Sequence, residues 1–275
     1  KVIRPSQRKE MAQNTVKAKS VSIKIACSVF GISESCYRYE SKNGSENDLI
    51  AHKLIELCED KKRWGFGLCF DYFRNVKGYP WNHKRVYRIY RELELNLRIK
   101  PRRRMKREKP DALSEPTARN QMWSIDFMSD SLEDGKSFRT FNVLDDYKRE
   151  GLGIEVDFSL PSERVIRSLD QIIEWRGKPK SIRCDNGPEF ISEKFQIWAE
   201  KNNINIVHIQ PGKPTQNAYI ERYNRTVRHE WLDMYLFQDI EQAQKLSTEW
   251  LWGYNNERPN KANKGIPPRG SRRAA

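Results

Sequence analysis

The order of elements from Gln121 onward restricts the fold more than any other feature of the chain. Residues 122–128, 138–144 and 151–158 are strand-like and follow one another with only short turns between them. Helical and strand-like stretches then alternate. A helix is predicted over 162–175, a short apolar strand over 181–184, a helix over 189–202 and a strand over 204–209. A long helix over 216–235 and a last one over 242–254 follow. Three consecutive strands and then alternating helices and strands predict an α/β domain built on a mixed sheet.

Ahead of that domain, residues 1–96 read as helical. Residues 21–27 carry apolar side chains at helical spacing and stop at Gly31, after which Ser33 can cap a short second helix through Ser35, Cys36 and Tyr37. Helix, glycine turn and polar second helix is the pattern of a helix-turn-helix, although small helical hairpins share it without touching DNA. Further helices are predicted over 47–60, 68–76 and 84–95. The last places Lys84, Arg85 and Arg88 away from its apolar residues Val86, Ile89 and Tyr90, as suits a helix lying along a phosphate backbone. Residues 99–120 separate the two textures. They are strongly basic, with Arg102, Arg103 and Arg104 in succession, and Pro110 and Pro116 oppose regular structure. The expected organisation is a helical region 1–98, a basic linker 99–120 and an α/β region 121–275.

Charge follows these divisions. Residues 1–120 hold 28 lysines and arginines against 14 acids, whereas 121–257 hold 17 against 23. Residues 258–275 then carry six bases and no acid, a basic tail. Basic flanks suit a phosphate backbone and an acidic middle suits cations, the bland alternative being solvated charge runs without a partner. No run approaches the roughly 18 apolar residues of a membrane helix, and no signal-peptide pattern opens the chain, so a soluble intracellular protein is expected. The five cysteines (Cys27, Cys36, Cys58, Cys69, Cys184) and four histidines form no CxxC or HxxxH pair, which argues against a disulfide framework and a zinc module.

Three acids stand out. Asp126 lies inside the first strand among large apolar residues. Asp185 directly follows the 181–184 strand, and ligands of open α/β sheets gather at the carboxyl ends of strands. Glu221 lies on the long helix; at about 100° per residue it projects away from the stripe of Tyr219, Tyr223, Val227 and Trp231, on the side that also carries Arg225 and Arg228. Singly, each has a plainer account: an outward strand acid, an Asp-Asn-Gly turn, an exposed acid with an i,i+4 arginine. Asp145, Asp146 and Glu189 are rival acids nearby, Glu189 being explained by a helix dipole. The chosen three are separated by 58 and 35 residues.

The stretches Trp123-Ser124-Ile125-Asp126-Phe127, Cys184-Asp185-Asn186-Gly187-Pro188-Glu189-Phe190 and Pro214-Thr215-Gln216-Asn217-Ala218-Tyr219-Ile220-Glu221-Arg222 resemble the DDE transposases and retroviral-type integrases. Lys84-Arg85-Val86-Tyr87-Arg88 and Tyr254-Asn255-Asn256-Glu257-Arg258-Pro259 extend the likeness to the second-frame, OrfB-type transposases of the IS-three family of insertion sequences, over nearly the whole chain. The resemblance implies an RNase H-like core with a five-stranded mixed sheet, preceded by a helix-turn-helix-type region. It implies that Asp126, Asp185 and Glu221 are catalytic and bind Mg²⁺, with Mn²⁺ as substitute, and that two ions serve each site. Two hard cations held by carboxylates stabilise both the attacking and the leaving oxygen of an in-line displacement. Asn186, Gly187 and Gln216 would shape the site, Arg228 and Arg225 would hold phosphate, and the reaction would join element ends to target DNA in a multimer. The implied partners are terminal inverted repeats, target DNA and a first-frame protein carrying a further helix-turn-helix and a coiled coil, in a bacterial, nucleoid-associated setting. A start at Lys1 rather than Met, and a terminus departing from the family's usual apolar helix, are what a fragment or the downstream half of a frameshifted product would show. An RNase H-type nuclease and a DNA-binding relic of a transposase remain the alternatives.

Overall fold

A computed structural model describes residues 5–19, 21–39, 44–97, 116–210 and 214–270. The chain divides into two compact units, 1–52 and 53–275. In the first, α1 (Pro5–Lys19), α2 (Ile23–Phe30) and α3 (Glu34–Arg38) bury Ala12, Ala26 and Cys27. The turn between α2 and α3 is built as its sequence suggests. Ser22 Oγ accepts from Ile25 N, Gly31 ends α2 in the left-handed region at φ 62°, and Ser33 Oγ accepts from Cys36 N. α4 (Gly44–Asp60) spans the division at residue 52.

The second unit opens with α5 (Phe66–Asp71), a π-helical turn over Tyr72–Val76 and α6 (His83–Glu92). Ring contacts among Phe66, Phe70, His83, Tyr87 and Tyr90 join α5 to α6. The compact-unit division falls at 52/53, so α5 and α6 belong to the same compact unit as the sheet. Residues 98–115, which hold most of the expected linker 99–120 with Arg102, Arg103 and Arg104, lie outside the described residues.

The sheet has five strands in the order β3-β2-β1-β4-β5: β1 (Met122–Ser131), β2 (Ser137–Asp145), β3 (Glu150–Asp157), β4 (Ser181–Cys184) and β5 (Asn205–His208). β1–β2 and β2–β3 pair antiparallel, β1–β4 and β4–β5 parallel. This is the mixed RNase H-like sheet that the sequence led one to expect. Strand alternation divides its side chains between two cores. Trp123, Ile125, Phe141 and Val143 face α7 (Ser162–Arg176) and α9 (Glu193–Lys201). Phe138, Leu144, Ile154 and Val156 face α10 (Ala218–Glu230) and α11 (Ile240–Asn256).

Two predicted helices are broken. The 189–202 helix divides at Ser192 into α8 (Pro188–Ile191) and α9; Ser192 takes an extended conformation and its hydroxyl accepts from Phe195 N, restarting the helix. The 216–235 helix is helical in the α sense only over α10, with 3-10 turns before it (Pro214–Asn217) and after it (Leu232–Met234). It stops at Trp231, φ −132°, whose fully buried ring packs on Phe237. Burying that indole outweighs continuing the helix.

The basic tail is also unlike a loose arm. Arg258 makes two hydrogen bonds to Glu230, at 2.7 and 2.6 Å, and Arg269 pairs with the buried Glu150. Their charges are spent on acids of the fold. Arg272 and Arg273 lie outside the described residues.

A candidate acidic site on the central strands

Asp126 sits midway along β1, opposite Asn142 of β2, on the sheet face that α10 covers. Its Oδ1 accepts from Phe127 N at 2.9 Å and its Oδ2 from Asn224 Nδ2 at 2.8 Å. Asn142 Nδ2 in turn donates to Asn224 Oδ1 at 2.8 Å. A carboxylate can only accept, so Asp126 fixes the direction of this chain of amides. Asp185 follows β4, the parallel neighbour of β1, and accepts from Gly187 N at 3.0 Å. A Cβ added at Gly187 would stand 3.0 Å from that same carboxylate oxygen, so the turn closes against Asp185. Glu221 is exposed in the first turn of α10.

Burial pushes the Asp126 carboxyl up to about 6, and the negative charges of Asp185 and Glu221 add to that rise, while the bonds from Phe127 N and Asn224 oppose it. The two flanking acids thus lie within electrostatic reach of the buried one. The other acids of this region are neutralised or structural. Asp146 pairs with Arg183 at 2.8 Å, both buried, Glu189 pairs with Arg139, and Asp130 with Arg228. Asp145 accepts from Asn120 N and Tyr147 N, which is turn construction. Among the described residues Asp126, Asp185 and Glu221 have no ion-pair partner, and the i,i+4 pair of Glu221 with Arg225 does not form.

Among the described residues no three His, Cys, Asp or Glu side chains close into a ready-made metal cage. The donor set nonetheless fits a hard divalent cation: all three groups are carboxylates, no cation among the described residues pairs with them, and the charges of Asp185 and Glu221 add to the rise that burial causes at Asp126.

The secondary candidates divide. Asn186 Nδ2 donates to Ile209 C=O at 3.1 Å, and Gln216 Oε1 accepts from Gln210 N at 2.8 Å, so both tie loops around the site. Arg228 bonds Asp130 at 2.6 Å and the Ser129 carbonyl at 2.6 Å, anchoring the end of β1, while Arg225 is exposed on α10. Lys84 and Arg88 are exposed on α6, Arg88 beside Glu92 at 3.7 Å, and Arg85 is half-buried there. Sequence reasoning missed Asn224 and Asn142. The signal was present for Asn224, which lies about 20° beyond Trp231 on the helical wheel, a polar residue at the rim of the buried stripe.

Residues 116–214 and 202–268 each match a family described as "Integrase core domain". The chain is 36% identical over 249 residues to an uncharacterized 31.7 kDa protein of insertion element IS407 from Burkholderia multivorans, covering 90% of each chain. It is 34% identical over 274 residues to an uncharacterized 39.2 kDa protein of insertion element IS476 from Xanthomonas euvesicatoria, covering 98% of this chain and 77% of that one. Among solved structures, the HTLV-2 integrase catalytic core domain in complex with magnesium is 20% identical, with a TM-score of 0.44 over 54% of this chain and 93% of that one. The strand order above, not that distant likeness, carries the fold. No helix among the described residues is long and apolar enough to cross a membrane.

Proposed function

The chain belongs to the integrase-core family of insertion-element transposases, and on that premise we propose that it cleaves the ends of such an element and transfers the 3′-OH to DNA by metal-dependent phosphoryl transfer. The observation that supports the assignment of residues is placement: Asp126 on β1 stands within electrostatic reach of Asp185, directly after the parallel neighbour β4, and of Glu221 on α10. Stability alone gives no reason to leave three mutually repelling carboxylates without an ion-pair partner among the described residues, whereas a cation site calls for it. Asp126, Asp185 and Glu221 would hold Mg²⁺ or Mn²⁺, which when bound supplies positive charge to the attacking and leaving oxygens. The protein's own part is positional. β1 carries Asp126 and its parallel neighbour β4 ends directly before Asp185, and Asn224 holds the Asp126 carboxylate while sharing α10 with Glu221. The expected partners are terminal inverted repeats, target DNA, further copies of the chain and a first-frame protein. The helical region before 98, the basic linker 99–120, Lys84, Arg85, Arg88, Arg102, Arg103, Arg104, Arg225 and Arg228 are proposed to serve DNA binding.

The test is incubation of the protein, with its first-frame partner and Mg²⁺, with supercoiled DNA bearing the element's terminal repeats. Joined or circularised ends are expected, and Asp185→Asn should abolish them while leaving duplex binding intact. Hydrolysis of an RNA–DNA hybrid without joining would make the protein a nuclease instead, and binding without cleavage in either metal would make it a relic.

A further inference from the structure

The Tyr254–Pro259 motif has no place in the acidic site, yet the structure gives it a definite task. Tyr254 OH donates to the Arg149 carbonyl at 3.0 Å, and Asn255 bonds both the N–H and the C=O of Gly151 at 2.9 and 2.7 Å. Asn263 Nδ2 adds a bond to the Lys148 carbonyl at 2.8 Å. Four bonds from the C-terminal segment thereby clamp the β2–β3 turn, including Arg149 in the left-handed region at φ 59°. A non-glycine residue held there is strained and persists only where its surroundings impose it. The turn so held carries the Arg149 guanidinium over the Tyr219 ring, 3.6 Å from its centre.

Arg149 lines a cleft of about 370 Å³ between α10, the β2–β3 turn, α5 and the segment after α11. Arg222 and Lys261, both exposed, line it as well, and Arg258 closes it from within with its charge met by Glu230. Among the described residues that line the cleft none is acidic. At about 100° per residue, Tyr219, Arg222 and Thr226 flank one side of the buried stripe of α10 and Glu221 the other. The cleft therefore lies on the other flank of the buried stripe of α10 from Glu221.

We propose that this cleft, with no acid among its described lining residues, is a seat for a DNA backbone phosphate gripped by Arg222 and Lys261, a proposal that rests on the reading that the protein acts on DNA. The seat is assigned to holding the duplex and not the reacting phosphate, because it lies on the other flank of the buried stripe of α10 from Glu221. Backbone phosphates are bound by converging cations without regard to base, and each such contact releases counterions.

The test is fluorescence anisotropy of a labelled duplex carrying the element's terminal repeat, titrated with the full chain in EDTA over a range of NaCl concentrations. Arg222→Gln/Lys261→Gln should lower the slope of log K against log salt by about 1 and weaken binding about tenfold at 0.1 M NaCl. Arg222→Lys should keep most of the slope. A folded double variant, judged by an unchanged melting temperature, whose slope equals wild type would overturn the seat. So would equal losses in Arg222→Lys and Arg222→Gln, since charge would then not be the cause. Inorganic phosphate, added at constant ionic strength, should not displace the duplex at low millimolar concentration; displacement from wild type but not from the double variant would make the cleft a free-anion site. No step of this experiment requires end joining, so a failed joining assay leaves it standing, and an unchanged slope with joining intact removes only the seat.

Discussion

At the scale of the residue, Asp126 is where structure and chemistry are most tightly coupled. Its folded carboxyl titrates near 6, above the ordinary 3.8, so the native state binds this proton more tightly than the unfolded chain. Stability from that proton is present at low pH and is lost as pH rises through about 6; the ionised carboxylate then costs on the order of 3 kcal/mol. Metal-free protein should therefore lose melting temperature between about pH 4 and 6, and part of that loss should be missing in Asp126→Asn. Asp146, also raised to about 6 by burial, contributes to the same window, and the comparison with the variant isolates Asp126. Mg²⁺ should raise the melting temperature more at pH 7.5 than at pH 5, because it offsets charge present only at the higher pH. An equal Mg²⁺ effect at both would place the metal elsewhere. The three acids were legible as a set because spacing and motif singled them out. Asn142 was not, because nothing marks a polar strand residue as an amide relay until the β1–β2 register sets it opposite Asp126.

At the scale of the element, the sequence predicted every strand of the sheet within a few residues and misjudged where helices stop. Ser192 and Trp231 end helices for reasons that periodicity does not carry: a hydroxyl that caps the next helix, and an indole that must be buried. The tightest junction is where β3 meets α10 and α11. A Cβ on Gly151 would lie 2.5 Å from Leu251 Cδ1 and 2.7 Å from Tyr223 OH, while Asn255 holds both backbone groups of Gly151. Gly151→Ala should thus destabilise the protein by about 1–3 kcal/mol, the usual cost of overpacking, read as a lower denaturation midpoint with unchanged m-value. A midpoint equal to wild type would mean that Leu251 and Tyr223 move aside freely.

At the scale of the whole molecule, charge and compactness divide the chain differently. Composition changes at the basic stretch near residue 100, but the compact units meet at 52/53. The reason lies in long-range bonds that no local pattern announces. Trp64 Nε1 donates to Glu230, and Asn75 Nδ2 donates to the Gly265 carbonyl. Removing residues 1–39 should accordingly leave the cooperative melting of the remainder intact while reducing duplex affinity and its salt slope, because a helical hairpin and its bases are lost. Collapse of the remainder on truncation would show that the first unit is needed for folding.

Glu230 joins distant parts of the chain: Trp64 precedes it by 166 residues and Arg258 follows it by 28. On a ribosome, the segment around Trp64 emerges long before either partner exists. Until residue 258 has left the exit tunnel, Glu230 lacks the arginine that pairs with it in the folded chain. A chain that ends before residue 258 therefore carries every acid of the candidate site and leaves Glu230 without its arginine.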